Sequence, residues 1–277
     1  MENTKKLLID TDIGDAPDDS LSLYMAMRMG FSLVGVTTVF GDTKKRAEEV
    51  KKLLCAYGRG YESVPVADGD GAADLIIESC KKYGKDLTVV AIGPFTNIAN
   101  VIKKDPNTLA LAAEVVIMGG AYYRQYADWN VTCDPESAAI MFDSLTNLNC
   151  IGADVTHLLD IGKENADIIT GYRGDACGTL VAKELDAWVK QNPDDLRVLH
   201  DPLAVYCAVH PDICTAERVH VAVITEGFGR GMTLNADAYS KAYMNPAFNG
   251  RDLSRKAKVA KAVDARGFMD LFMELFR

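Results

Sequence analysis

Residues 7–23 read LLIDTDIGDAPDDSLSL, an apolar run followed at once by Asp10, Asp12, Asp15, Asp18 and Asp19. The run has the length and composition of a buried strand, and the aspartates stand at its carboxyl end, before a segment with helical patterning. Two carboxylates about 4 Å apart repel by about 1 kcal/mol in bulk water and by about 4 kcal/mol at an effective dielectric near 20. Carboxylates converging at a strand end therefore take up protons or bind a cation. Lys and Arg are absent from positions 7 to 27, which leaves no local counter-charge and favours the cation. The simpler alternative is a solvated acidic turn, with Asp18 or Asp19 capping the following helix.

Working outward, short apolar runs recur at Lys6–Ile9, Leu33–Val39, Leu87–Ile92, Val115–Met118, Cys150–Ala153 and Val219–Ile224. Helical stretches separate several of them: Ser20–Met29, Lys44–Tyr57, Ala72–Tyr83 and Asn97–Lys103. This alternation predicts an α/β fold, an open and mainly parallel sheet flanked by helices. The segment 160–192 is helical and more polar, interrupted by Gly171, Gly174 and Gly178, and reads as a small helical insertion in a single domain spanning 1–277. The tail from Val259 alternates and then becomes an amphipathic helix, DLFMELF. Ligands of open α/β sheets bind beyond the carboxyl ends of the strands. The segments expected to converge are Asp10–Asp19, Gly41–Asp42, Gly93–Asn97, Gly119–Gly120 and Asp154–His157.

With 277 residues and 48% hydrophobic content, the chain can bury a large core. Its formal charge of −9 disfavours nucleic acid and anionic membrane surfaces as partners. Seven cysteines without a CxxC pair indicate reduced thiols rather than a disulfide framework or a zinc ribbon. No apolar signal core and no stretch of 18 apolar residues is visible, so a cytoplasmic location is expected.

The motifs DTDIGDAPDDSLSL, VGVTTVFGDT, AIGPFTNIANVI, VVIMGG, ADWNVTCDPESA, HDPLAV and TEGFGRGMT occur in an order, and over a length, that closely resembles the inosine-uridine nucleoside hydrolase family. The resemblance implies calcium-dependent hydrolysis of the N-glycosidic bond of a ribonucleoside or related riboside by a homodimer or homotetramer. It makes Asp12, Asp19, the main-chain carbonyl of Thr96 and Asp201 the Ca²⁺ ligands. Hard oxygen donors are what calcium takes. Asp12 is then also the general base, and His200 assists the departing base. Asp18, Asp42, Asp128, Trp129 and Asn130 are expected at the substrate, and Asp10 behind the metal. Thr96 reads equally as a helix N-cap, Trp129 as a core residue, and His157 as a scaffold residue at a strand end.

The chain departs from the family's pattern at Asp128, where glutamate is usual, and at Asp42, where asparagine is usual. Residues 121–126 carry Tyr122, Tyr123, Arg124 and Tyr126 in place of a GNxTP stretch, and the loop after VPVADGD is short. Two other readings compete. One is a magnesium-dependent haloacid dehalogenase-type phosphatase, which also opens with DTD after a strand but carries Thr or Val where this chain has Gly14. The other is a non-catalytic, metal-dependent sugar- or nucleoside-binding protein.

Overall fold

The computed structural model describes residues 5–195, 197–237 and 255–277. Strand β1 (Lys6–Thr11) is the apolar run extended through Asp10, and it is buried almost throughout. Successive side chains of a strand point to opposite faces. Leu7 and Ile9 accordingly enter one hydrophobic core and Leu8 enters another, on the opposite side of the sheet. Each fully buried Leu or Ile contributes about 1.5–3 kcal/mol, so this short run commits both cores at once.

Helix α1 (Asp18–Arg28), β2 (Ser32–Thr38), α2 (Thr43–Tyr57), β3 (Val66–Ala67), α3 (Gly69–Tyr83), β4 (Leu87–Ala91), α4 (Thr96–Lys104) and β5 (Glu114–Met118) continue the alternation. They are followed by α5 (Trp129–Cys133), α6 (Pro135–Ser144), β6 (Leu148–Ile151) and α7 (Ala153–Thr156). Helices α8 (Gly162–Gly171) and α9 (Ala176–Gln191) occupy the segment read as an insertion. Gly178 lies inside α9 and does not break it. A Cβ there would stand 2.4 Å from the Tyr172 ring and 2.8 Å from the Tyr24 hydroxyl, so close packing, not a turn, requires the glycine.

Helix α10 (His200–Cys207) then leads to β7 (Cys214–Val219), β8 (Val221–Val223), β9 (Thr233–Asn235), β10 (Ala257–Val263) and a last helix, Ala265–Met273. The main sheet has eight strands in the order β3-β2-β1-β4-β5-β6-β10-β7. All neighbours pair in parallel except β10 and the edge strand β7. The expected mainly parallel architecture is therefore present.

Two predicted strands are cut differently. Cys150–Ala153 ends at Ile151, because the chain turns out of the sheet at Gly152 and the Ala153 amide donates to the Gly120 carbonyl at 2.8 Å. Val219–Ile224 divides at His220: Val219 closes β7, while β8 pairs with β9 in a separate antiparallel ribbon. Strand β7 itself, CTAERV, is mostly exposed at the sheet edge and carries no apolar run to announce it.

The chain order reverses between β1 and β4, since β2 and β3 lie to one side of β1 while β4, β5 and β6 lie to the other. The loops leaving β1 and β4 diverge there and open a crevice at the carboxyl edge. No helix among the described residues is long and apolar enough to cross a membrane. All seven cysteines are free.

Candidate active site

The crevice is a cavity of about 190 Å³ bordered by Asp12, Asp15, Asp18, Asp19, Ile92, Met118, Tyr126, Asp128, Trp129, Asn130, His200 and Asp201. Eight of the eleven residues singled out in the sequence therefore line one cavity. Asp10, Asp42 and Thr96 stand outside it.

The aspartates enter from two directions. Asp18 and Asp19 form the first turn of α1, where the helix N-terminus favours negative charge, but neither is its cap. The cap is Pro17, with no side-chain bond. Asp201 comes from the first turn of α10, which packs against α1. One carboxylate oxygen from each of Asp18, Asp19 and Asp201 lies within 4.8 Å of the others. The Thr11 hydroxyl donates to Asp19. Burial pushes the Asp19 and Asp201 carboxyls well above 3.8, and the neighbouring aspartates push them further. Burial likewise raises Asp18 to about 6 and Asp12 to about 7. Hard oxygen donors held this close against their own repulsion fit a divalent cation.

Asp12 borders the pocket beside this trio at the end of β1. Gly93 allows its approach: a Cβ there would stand 2.9 Å from both the amide nitrogen and Oδ1 of Asp12. Asp10 lies fully buried behind it. Its Oδ1 accepts from the Thr37 hydroxyl at 2.6 Å and from Asn97 Nδ2 at 2.8 Å, and burial lifts it to about 7. Thr96 opens α4 and donates its hydroxyl to Asp134, while Phe95 holds the cap position. Asp42 is exposed and caps α2 through the Lys45 amide at 3.0 Å.

Across the pocket, Asp128 caps the short helix α5 by accepting from the Val131 amide at 3.3 Å. It is 4% exposed, and burial raises its carboxyl. Asn130 Nδ2 donates to the Ile92 and Met118 carbonyls at 2.8 and 3.1 Å. Its donors are thus spent on the ends of β4 and β5, and its oxygen is the polar atom that remains for a ligand. Trp129 is 61% exposed and is no core residue.

His200 heads α10. Its Nδ1 lies 2.7 Å from the Thr156 hydroxyl, and its ring meets that of His157 edge-on at 5.3 Å. Burial, then His157 and Arg124, push it down to about 4. His157 does not end a strand: it follows the last turn of α7. It packs against Tyr126 as well, and its Nδ1 lies 2.5 Å from Arg124 Nη2. A second cavity of about 190 Å³ shares Asp18 and His200 with the first, and its other walls include Leu21, Ile161, Leu185, Trp188 and Arg197.

One expectation is corrected. The acidic loop has a counter-charge after all, because Arg46 on α2 is buried against it and pairs with Asp15 at 2.6 Å. Nothing within the loop announces a partner 31 residues downstream.

A sequence model of the family described as inosine-uridine preferring nucleoside hydrolase matches residues 68–270. The chain belongs to that family, and it is a hydrolase acting on N-glycosyl bonds. This excludes the phosphatase reading. Divalent-metal dependence is a property of the family, and an acidic cluster of three carboxylates is present here. The chain is 26% identical to a probable uridine nucleosidase 1 of Oryza sativa subsp. japonica over 98% of this chain and 96% of that one. It is 32% identical to the pyrimidine-specific ribonucleoside hydrolase RihA of Salmonella agona over 73% of this chain and 65% of that one. Among solved structures, the purine-preferring ribonucleoside hydrolase from Gardnerella vaginalis aligns with a TM-score of 0.79 at 27% identity, covering 98% of each chain.

Proposed function

We propose that this protein is a calcium-dependent ribonucleoside hydrolase that releases ribose and the free base. The observation that carries the reading is the convergence of Asp18, Asp19 and Asp201 in the pocket that also contains Asp12, Asn130 and His200. Asp12, Asp19, Asp201 and the Thr96 carbonyl are assigned to hold the ion, an all-oxygen set of the kind calcium takes. When bound, the cation supplies Lewis acidity to oxygen donors that enter its open positions.

The chain's own residues do the rest. Asp12, at the end of β1 beside the other carboxylates, accepts the proton of the attacking water. Asp18 and Asn130 accept hydrogen bonds from the ribose hydroxyls, which fixes C1′ over that water. Asp128 faces the 5′ end, and Trp129 shields the rim. Asp10 braces the end of β1 from behind. The adjoining cavity receives the base, with Trp188 and the aliphatic residues excluding water from it.

His200 stands between sugar and base. At neutral pH it is an uncharged imidazole, since its environment holds it near 4. If Nδ1 accepts from the Thr156 hydroxyl, the ring proton sits on Nε2, from which it hydrogen bonds to the base as the glycosidic electrons arrive there.

The test is a reducing-sugar screen across purine and pyrimidine nucleosides, with calcium and after chelation. Ribose should accumulate with at least one nucleoside and stop on chelation. A folded, calcium-loaded protein that releases none would overturn the assignment, and calcium-independent release would remove the ion from it.

A further inference from the structure

Arg46 is 8% exposed, and its guanidinium is almost wholly occupied by the two loops that frame the pocket. Nη1 donates to the Ile13 carbonyl at 2.6 Å and to the Asp12 carbonyl. Nη2 donates to the Asp15 carboxylate at 2.6 Å, and Nε donates to the Phe40 carbonyl at 2.7 Å. One side chain thereby joins three residues of the loop after β1 to the loop after β2.

Both loops are bent around it. Phe40 sits at φ 64°, a region uncommon for any residue but glycine and strained for a bulky one. Gly14 and Gly41 adopt φ 112° and 64°, and a Cβ on either would lie 3.8 and 3.5 Å from the guanidinium. The Phe40 ring in turn meets Trp129 edge-on at 6.5 Å, on the rim of the pocket.

We propose that Arg46 is a positioning residue for the cation site: it holds the Asp12–Asp15 segment in its ligating shape before the ion arrives. The inference rests on reading the pocket as a cation site. It has a distinctive sign. A positive charge beside carboxylate ligands repels the incoming ion, so if Arg46 acted only by its charge, removing it would tighten binding. If it acts by holding the loop, removing it weakens binding. Lysine keeps the charge but is a point donor that cannot fork to several oxygens in fixed directions, so charge conservation gives no rescue.

Calorimetric titration with calcium alone separates the two. Arg46→Met and Arg46→Lys should each lose affinity by about 10- to 100-fold, the usual effect of removing a group that orients metal ligands. The rise in thermal midpoint on adding saturating calcium should shrink in parallel, which follows the same equilibrium without any substrate. Equal or tighter binding by Arg46→Met overturns the proposal, and so does wild-type affinity in Arg46→Lys. If the Met variant fails to fold, the Lys variant, which keeps the charge and the aliphatic stem, decides alone. A wild-type chain that binds no calcium would bring down the cation site and this inference together, whereas binding retained in both variants removes only the role of Arg46.

Discussion

The Thr156 hydroxyl lies 2.7 Å from Nδ1 of His200, and both are held by helix first or last turns, α7 and α10, with His200 at the edge of the acidic pocket. The contact settles which ring nitrogen is engaged by the protein. His200→Ala should therefore slow natural nucleosides by roughly 10²- to 10⁴-fold, yet barely change p-nitrophenyl riboside, whose leaving group needs no hydrogen bond. Thr156→Val should reproduce the same selectivity in weaker form, with Thr156→Ser restoring it. Equal losses on both substrates would make His200 a residue of shape only.

Asp19→Ala removes a buried carboxylate from a trio confined within 4.8 Å. Calcium binding and turnover should both be lost, while the fold survives because the mutual repulsion is relieved. Calcium titration of the folded variant checks this, and unchanged affinity would exclude Asp19 as a ligand.

The stability of the calcium-free protein should depend on pH in an unusual direction. Asp10 and Asp12 are raised from 3.8 to about 7 and Asp18 to about 6, with burial the largest cause in each. A carboxyl with a folded pKa above its unfolded value binds extra protons in the folded state, so stability is lost as pH rises from about 4 to about 7. In chelator, the thermal midpoint should fall between about pH 5 and about pH 7.5, and the increment from calcium should be larger at the higher pH, where the ion replaces the protons. A midpoint that rises across this interval, equally with and without calcium, would contradict the buried repulsion.

Binding at the 5′ end should be looser than in related enzymes. Asp128 is one methylene shorter than glutamate and is already engaged as the cap of α5. Arg124 is turned to the Ala153 carbonyl and His157, and Tyr122 is buried with its hydroxyl on the Gly119 carbonyl at 2.7 Å. Binding energy at a remote group helps orient the reacting centre, so its weakness should show in kcat as well as in affinity. Measured kcat/KM for inosine, uridine and their 5′-deoxy forms should differ only modestly. Collapse on removing the 5′ hydroxyl would show that Asp128 holds it well.

Much of this protein was legible in local pattern. Alternation in LLIDT places Leu7 and Ile9 against one core and Leu8 against the other, whatever lies downstream, because the strand period is intrinsic to the backbone. Repetition of such runs between helical stretches determined the parallel sheet, and polar residues after each run marked its functional edge. The boundaries that shifted did so for non-local reasons: the chain leaves the sheet at Gly152 because Gly120 and Tyr122 already fill that corner.

The site divides in the same way. The sequence alone determined that Asp12, Asp18 and Asp19 stand together at a strand end, since a few residues of chain cannot carry them apart. Only the tertiary structure decided their partners. Asp201 reaches Asp18 and Asp19 because α10 packs on α1, Arg46 reaches Asp15 because α2 folds back over the loop, and His157 meets His200 across two helix ends. Asp42 follows a strand too, yet its side chain is claimed by the helix α2 cap, while the Thr96 hydroxyl goes to Asp134 and leaves its main-chain carbonyl out of that contact. Sequence spacing specifies which chemistry a segment can offer, whereas the direction of a side chain depends on packing from elements that are distant in the chain and close in space.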